Sequence, residues 1–313
     1  PTQPDVSVLP DDWTKENTAS ISWTNIADLN DLNRVELSWD GGAYQTTGLS
    51  DKTCSGYEAD ISSFADGLHT LSIRGVDIAE NVGEAGTASI QIDRSAPTLT
   101  QSSVEPAAWT AADSVMLTWE GAADAYSGLA RMEYAVDGGA WEALDVSENG
   151  SREIEIGGLA DGEHRITLRL TDALENAAVW EHTIYLDHTP PVVELLTPQN
   201  GAVVTGVLDI WGIVSDISLT DWTLTAKGSS GKEVTVHADS TERLSEQLGV
   251  LDTGEFADGE TIEIILTAHD AAAHESTVQG IYVKADHSAK PVSEDVTITA
   301  PQQGECLTVS YKQ

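Results

Sequence analysis

Residues 131–141 read RMEYAVDGGAW, and this stretch decides the fold. Met132, Tyr134 and Val136 occupy every second position, and the letters DGG follow directly. A period of two indicates a β-strand with one buried and one wet face. Asp-Gly and Gly-Gly pairs tolerate positive φ and close tight hairpins. Residues 165–170 alternate in the same way, so the pattern predicts antiparallel strands joined by short turns.

The stretch belongs to an internal repeat with a period near 96 residues. DGGAY at 40–44 returns as DGGAW at 137–141, and DIAEN at 77–81 returns as DALEN at 172–176. The triplet ADG occurs three times with the same spacing, at 65–67, 160–162 and 257–259. A fixed period of this length indicates tandem copies of one folding unit.

Each copy closes on an Asp, a hydroxyl residue and a proline, which predicts the domain boundaries. These closing segments lie at 93–97, 187–191 and 286–291. We therefore expect β-sandwiches over 1–95, 96–189 and 190–286, followed by a linker and the truncated start of a fourth repeat over 287–313. Thr2-Gln3-Pro4 resembles the tail of such a linker, so we expect further domains of the same protein on both sides.

Units of about 95 residues with some seven short strands and no helical periodicity are typical of immunoglobulin-like two-sheet sandwiches. The predicted fold is all-β, with these sandwiches in an elongated array. Cys54 and Cys306 lie in different units, which excludes a disulfide scaffold. We expect isolated thiols, with a bond between chains or to a segment beyond this sequence as the alternative.

The charge excludes several classes of partner. The chain has 52 acidic and 15 basic residues, a net charge of -37. Nucleic-acid binding needs clustered Lys and Arg that replace condensed counterions, and anionic membranes repel such a chain. No run approaches the roughly 20 apolar residues of a membrane helix. We expect no nucleic-acid partner and no direct membrane insertion.

The second unit resembles the bacterial Ig-like domains named after the leptospiral surface protein OmpL47. The resemblance rests on YAVDGGAW at 134–141, DGEH at 161–164 and Thr171-Asp172. The first unit matches more loosely, and Glu80 and Glu175 replace a glycine usual before Asn in that family. The third unit is similar to a sister class of bacterial Ig-like repeat, through PQNG at 198–201. The resemblance implies an extracellular or bacterial cell-surface protein, without specifying a function.

The sequence offers no catalytic motif. GxSxG, HExxH and CxxC are all missing from it. Pairs of acids, as in a glycosidase site, do not indicate catalysis here, because 52 carboxylates form such pairs by chance. We predict that the chain is not an enzyme.

Calcium is the one cofactor that the composition favours, because it binds six to eight oxygen atoms and loops of two domains can supply them. The candidate ligands are Asp77, Asn81, Asp93, Asp172, Asn176 and Asp187. The alternative is that these residues hydrogen-bond their own turns.

Aromatic residues give the candidates for a contact surface. Tyr44 and Trp141 follow the DGG turns and are expected to be partly exposed, whereas Trp23, Trp119 and Trp211 are expected in the cores. His69 and His164 share one position after an Asp-Gly turn. They are expected to bond a backbone group there, with a metal ligand or pH sensor as the alternative.

These features favour a stalk or adhesion segment of a bacterial surface protein that spaces or presents binding domains. Its expected partner is an unspecified protein or glycan of a host or neighbouring cell. The alternative is a glycan-binding or substrate-positioning accessory of a secreted carbohydrate-active enzyme, which a row of exposed aromatic residues would indicate.

Overall fold

The computed structural model describes residues 1–29 and 31–288, and this part of the chain is almost entirely β-structure. It contains 24 strands and one turn of 3-10 helix, Thr253–Glu255, with no α-helix among the described residues. None of its helical segments is long and apolar enough to cross a membrane. The all-β prediction is confirmed. The predicted start of a fourth repeat and Cys306 lie outside the described residues.

The strands follow one another in three groups of eight. The first group is β1 (Asp5–Leu9), β2 (Trp13–Thr14), β3 (Thr18–Thr24), β4 (Leu32–Trp39), β5 (Gln45–Thr46), β6 (Cys54–Asp60), β7 (Gly67–Asp77) and β8 (Gly86–Ile92). The second is β9 (Gln101–Glu105), β10 (Trp109–Thr110), β11 (Ser114–Glu120), β12 (Leu129–Val136), β13 (Glu142–Leu144), β14 (Gly150–Glu155), β15 (Gly162–Asp172) and β16 (Ala177–Leu186). The third is β17 (Val192–Thr197), β18 (Ala202–Val204), β19 (Val207–Ser215), β20 (Leu219–Gly228), β21 (Glu233–Asp239), β22 (Arg243–Asp252), β23 (Thr261–Asp270) and β24 (Glu275–Ala285).

Every group makes one three-stranded and one five-stranded sheet with the same strand order. The three-stranded sheets are β1-β3-β6, β9-β11-β14 and β17-β19-β22. The five-stranded sheets are β2-β8-β7-β4-β5, β10-β16-β15-β12-β13 and β18-β24-β23-β20-β21. The short second strand of each group pairs parallel with the last strand. We call the three groups the first, second and third sandwich; their shared topology explains the sequence period.

The DGG turns adopt the backbone that their residues favour. Asp40 and Gly41 have φ of 51° and 72°, and Asp137 and Gly138 have 51° and 67°. Two successive residues at positive φ form a tight turn, which the Gly42 N–H closes on the Trp39 carbonyl and the Gly139 N–H on the Val136 carbonyl, each at 2.8 Å. Asp and Gly tolerate that region of φ best.

Buried tryptophans close the cores of the first two sandwiches, as expected. Trp23 and Trp119 are buried, and each indole N–H donates to a backbone carbonyl, that of Asp51 at 3.0 Å and that of Ser147 at 3.2 Å. The first core also contains Ile21, Leu71 and Ile73, from both of its sheets. Alternating strand residues thus meet between two sheets.

The prediction that Trp211 lies in a core is wrong, because 43% of this residue is exposed. Its neighbours Ile210 and Gly212 face inward, so Trp211 faces outward on β19. A displacement of one residue exchanges the faces of a strand. In the third sandwich the buried tryptophan is Trp222 of β20, whose indole N–H donates to the Thr241 carbonyl at 2.9 Å.

Backbone contacts divide the chain into two compact units. The first unit comprises Pro1–Glu105, Ser114–Glu155 and His164–Ile184. The second comprises Pro106–Asp113, Ile156–Glu163 and the described residues from Tyr185 onward. The division at residues 95 and 189 stays a prediction.

Candidate functional site

Two buried aspartates directly follow the last strand of a sandwich. Asp93 follows β8 and Asp187 follows β16, and both are 0% exposed. Asp93 accepts hydrogen bonds from the backbone N–H of Ser95 at 3.1 Å and of Ser127 at 3.0 Å. Ser127 lies in the loop before β12. One carboxylate therefore joins its own linker turn to the following sandwich.

Asp187 has the corresponding arrangement in the second unit. It accepts from the Thr189 N–H at 3.2 Å and from the Ser218 hydroxyl at 2.5 Å. Ser218 lies directly before β20, as Ser127 lies before β12. Both linker aspartates therefore bond the loop before a strand of the following sandwich. Asp93 accepts from a backbone N–H there, and Asp187 accepts from a side-chain hydroxyl.

The other candidate ligands hold their own turns, which was the alternative considered for them. The Asp172 carboxylate accepts from the backbone N–H of Leu174 and from both the backbone and side-chain nitrogens of Asn176, at 2.7–2.8 Å. Asp77 and Asn81 form the same turn in the first sandwich. These bonds occupy part of each carboxylate.

Asp93 and Asp172 meet in what we call the first cluster, which also contains Asp124. One carboxylate oxygen from each residue lies within 4.8 Å of the others. Asp124 also accepts from the N–H groups of Tyr126 and Gly128, at 3.1 and 2.8 Å. Ser127, whose backbone N–H bonds Asp93, has an enclosed hydroxyl oxygen with no partner among the described residues. Hard divalent cations such as Ca²⁺ bind sets of oxygen atoms of this kind.

Asp187 belongs to a second cluster, with Asp270 and His274, in the second unit. His274 Nδ1 lies 2.7 Å from Asp270 Oδ2, so this cluster includes a nitrogen. Asp216 lies beside it: burial raises its pKa, and the charges of Asp187 and Asp270 raise it further. A carboxyl group that holds its proton more tightly reduces the repulsion among these acids.

The sequence predicted some of these residues and missed others. Asp77 and Asn81 belong to neither cluster; they lie beside Asp28, whose carboxylate is 2.7 Å from the amino group of Pro1. The residues missed are Asp124, Asp270 and His274, which belong to the clusters, and Asp216, which lies beside the second. A signal for them existed, because Asp270 and His274 repeat the Asp-x-x-x-Asn spacing of Asp172 and Asn176 after 98 residues.

Tyr44 and Trp141 each lie against an arginine on a five-stranded sheet. The Arg74 guanidinium is 3.6 Å from the Tyr44 ring centre, and that of Arg169 is 3.9 Å from the Trp141 ring centre. Trp141 is 38% exposed. A guanidinium at this distance makes a cation–π contact, so one face of each ring is already covered.

His69 and His164 each bind the aspartate of a DGG turn. Their Nδ1 atoms lie 2.7 Å from Asp40 Oδ2 and Asp137 Oδ2, respectively. His69 Nε2 also lies 2.8 Å from the Ala65 carbonyl oxygen. The expected bond to a backbone group is thus present at His69.

Comparisons with known proteins return likeness of fold alone. No protein-family model matches the chain, and no curated protein matches it. Among solved structures, a tetra-tandem repeat from the extending region of a large adhesion protein has a TM-score of 0.33 at 20% identity, covering 92% of this chain and 74% of that one. The FN1–FN3 domains of chicken CNTN1 have a TM-score of 0.30 at 11% identity, covering 90% and 98%. Protocadherin gammaB7 EC3-6 has 0.35 at 15% identity, covering 91% and 72%.

Proposed function

We propose that the chain is a non-catalytic stalk or adhesion segment of a bacterial surface protein, in which three Ig-like domains space or present binding domains. The domains are residues 1–95, 96–189 and 190–286. The observation that carries this proposal is the pair of linker aspartates, Asp93 and Asp187. Each is fully buried and bonded to the loop that precedes a strand of the following sandwich. Such a carboxylate restricts the linker, as a spacer requires.

Contacts beside Asp93 support the same role. The Trp13 and Tyr126 rings lie 5.8 Å apart between centres, and the Lys15 ammonium donates to the Leu174 carbonyl. These pairs join loops of the first and second sandwiches within the first unit. A hydrogen bond depends on the orientation of its two groups, so the Lys15 contact specifies which parts of the two loops face each other.

Small-angle X-ray scattering of the full chain tests the spacer. Three sandwiches in line would give a maximum dimension on the order of 100 Å, from strands rising about 3.3 Å per residue. An Asp93→Ala, Asp187→Ala variant should give a broader distance distribution because its linkers lose their carboxylate bonds. Asp145→Ala, which changes an exposed acid elsewhere, is the matched control. A near-spherical particle would contradict the spacer, and identical curves for wild type and the double variant would contradict the role of the linker aspartates.

We also propose that the first cluster binds Ca²⁺. Its three carboxylates supply oxygen atoms only, and Ser127, which bonds Asp93 through its backbone N–H, has a buried hydroxyl without a partner among the described residues. A bound cation would neutralise acids that otherwise repel one another and would hold Asp93, Asp124 and Asp172 together. The second cluster is the weaker candidate, because it includes an imidazole and an aspartate of raised pKa. Hard cations prefer oxygen to nitrogen.

Calorimetric unfolding with excess chelator and then with about 5 mM CaCl₂ tests the site. At a free concentration of 100 times Kd, a ligand adds about 2.7 kcal/mol to the folded state. We expect a higher midpoint with calcium in the wild type, no rise in Asp124→Asn and an unchanged rise in Asp216→Asn, the corresponding position at the second cluster. MgCl₂ at equal ionic strength controls for screening. An unchanged wild-type midpoint, or equal loss in both variants, would rule out calcium at the first cluster.

A further inference from the structure

The three-stranded sheet of the third sandwich has Trp211 at the centre of its outer face. In antiparallel pairs, directly opposite residues share a face. Thr197 of β17 and Gln247 of β22 lie opposite Trp211 of the central strand β19. The rows on either side place Ile213 between Glu194 and Leu244, and Asp209 opposite Val250. This outer surface of β17-β19-β22 is called the Trp211 face below.

The Trp211 face is unusually apolar. Leu244 and Val207 are 63% and 67% exposed, and Val192 and Val250 are also exposed. The corresponding faces of the other sandwiches are more polar, although Leu9 and Met116 are exposed there. There, Ser7 lies opposite Ser22 and Ser103 opposite Thr118, and each pair is joined by a hydrogen bond between hydroxyl groups, at 2.5 and 2.9 Å. Contiguous exposed apolar side chains commonly mark an interaction site.

Acidic side chains alternate with the apolar residues. Glu194, Asp209 and Asp252 lie on the same rows, opposite Ile213, Val250 and Val207. Asp209 also accepts a hydrogen bond from Gln247 Nε2 at 2.8 Å. The one base next to these rows on β22, Arg243, lies opposite the inward-facing Val214 and is already paired with Asp239 and Glu246. The face therefore combines exposed apolar side chains with negative charges among them.

We propose that the Trp211 face binds a protein whose surface carries apolar side chains interspersed with Lys and Arg. The acids of the face support this occupant through charge complementarity, which steers association. Tryptophan is among the residues enriched in binding hot spots. A second copy of the chain would bring two acidic faces together, because a symmetric contact pairs the same patch on both copies. A sugar would find a single aromatic ring, beside a Thr197 hydroxyl and a Gln247 amide that already bond Asp209.

The size of the face indicates a weak contact. β19 has nine residues, so at about 3.3 Å per residue and about 4.8 Å between strands the face covers on the order of 400 Å². Stable interfaces bury roughly 800 Å² on each partner. We therefore expect fast exchange for one face, and stronger binding only where several copies act together.

Selection from a displayed library of a small β-sandwich scaffold with randomised loops tests the proposal, using the full chain as target. Independent binders are measured against wild type, Trp211→Ser, Leu244→Ser and Trp141→Ser. Trp141 is an exposed tryptophan on the second sandwich and provides the matched control. Circular dichroism and unfolding midpoints identify the variants that fold, and two substitutions on the face keep the test valid if one fails.

We expect most binders to lose at least tenfold in affinity with Trp211→Ser or Leu244→Ser and to keep it with Trp141→Ser. Their selected loops should carry Lys or Arg beside aromatic residues, and their affinity should fall as salt rises. Binders that ignore both substitutions, or no binders at all, would overturn the proposal. So would a Trp211-dependent dimer in sedimentation, or Trp211-dependent binding on a glycan array, since each assigns the face to another occupant.

Discussion

The aspartate of a DGG turn has two roles, one in the backbone turn and one in a charged contact with a histidine. Asp40 has positive φ, and its two carboxylate oxygens face the backbone N–H of Thr70 and Nδ1 of His69. The sequence predicts the turn, because Asp and Gly tolerate the positive φ that a tight turn needs. It did not predict the contact between Asp40 and His69, because the two are 29 residues apart and meet only when β4 and β7 pair.

The Asp40–His69 pair makes stability depend on pH. Burial alone would lower the pKa of His69, but hydrogen bonds to Asp40 and the Ala65 carbonyl outweigh it and raise that pKa. The resulting stability is complete below the unfolded pKa of about 6.5 and disappears as pH rises through the folded value. Asp40→Asn keeps a residue that tolerates positive φ and removes the charge.

We expect the wild type to exceed Asp40→Asn in unfolding midpoint by more at pH 6 than at pH 9. An NMR titration should give a higher pKa for His69 in the wild type. The lowered pKa of Asp40 acts in a separate window. Its contribution is present above the unfolded Asp value of about 3.9 and is lost only as pH falls through the lower folded value. A midpoint difference that stays constant from pH 6 to 9 would contradict the role of His69.

At the level of elements, the period of two predicted strands well and failed where both faces of a strand are apolar. β3 and β11 bury Trp23 and Trp119, whereas β19 faces Trp211 outward. β19 carries apolar side chains on both faces, since Ile210 is buried while Val207 and Trp211 are exposed. Its letters alone therefore do not reveal which face packs inward. For this reason the sequence places Trp211 in a core, although it lies on the face that carries our binding proposal.

The residues that the sequence analysis missed at the two clusters include two loop aspartates, Asp124 and Asp216. Asp124 and Asp216 precede corresponding strands, β12 and β20, and follow the sequence period. Asp28, Asp124 and Asp216 recur at about the repeat spacing, and this recurrence is the sequence signal for Asp124 and Asp216. The period does not reveal that the Asp93 carboxylate also meets residues of the next sandwich. Which loops share an end of a sandwich depends on strand order, which was known only from the structure.

Over the whole molecule, the net charge of -37 is distributed by the same alternation that builds the sheets. Four of the eight arginines lie in two matching ladders. Arg34 and Arg74 bind Glu36, and Arg131 and Arg169 bind Glu133, all on five-stranded sheets. Most other acids have no basic partner to pair with, since acids outnumber bases by 52 to 15. We therefore expect repulsion between acids to be the dominant electrostatic effect on the folded chain.

Salt should consequently stabilise this protein. Raising NaCl from about 0.02 to about 0.5 M shortens the screening length from roughly 20 Å to roughly 4 Å, which weakens repulsion between separated acids more than contact pairs. We expect the unfolding midpoint, measured by calorimetry with chelator present, to rise by several degrees. The double variant Arg74→Gln, Arg169→Gln should have a lower midpoint than the wild type at low salt, because it has fewer bases to offset the repulsion between acids. Its midpoint should also rise more steeply with salt, because fewer attractive pairs are weakened. A midpoint that falls with salt would mean that the arginine ladders, and not the excess of acids, control the electrostatic free energy of unfolding.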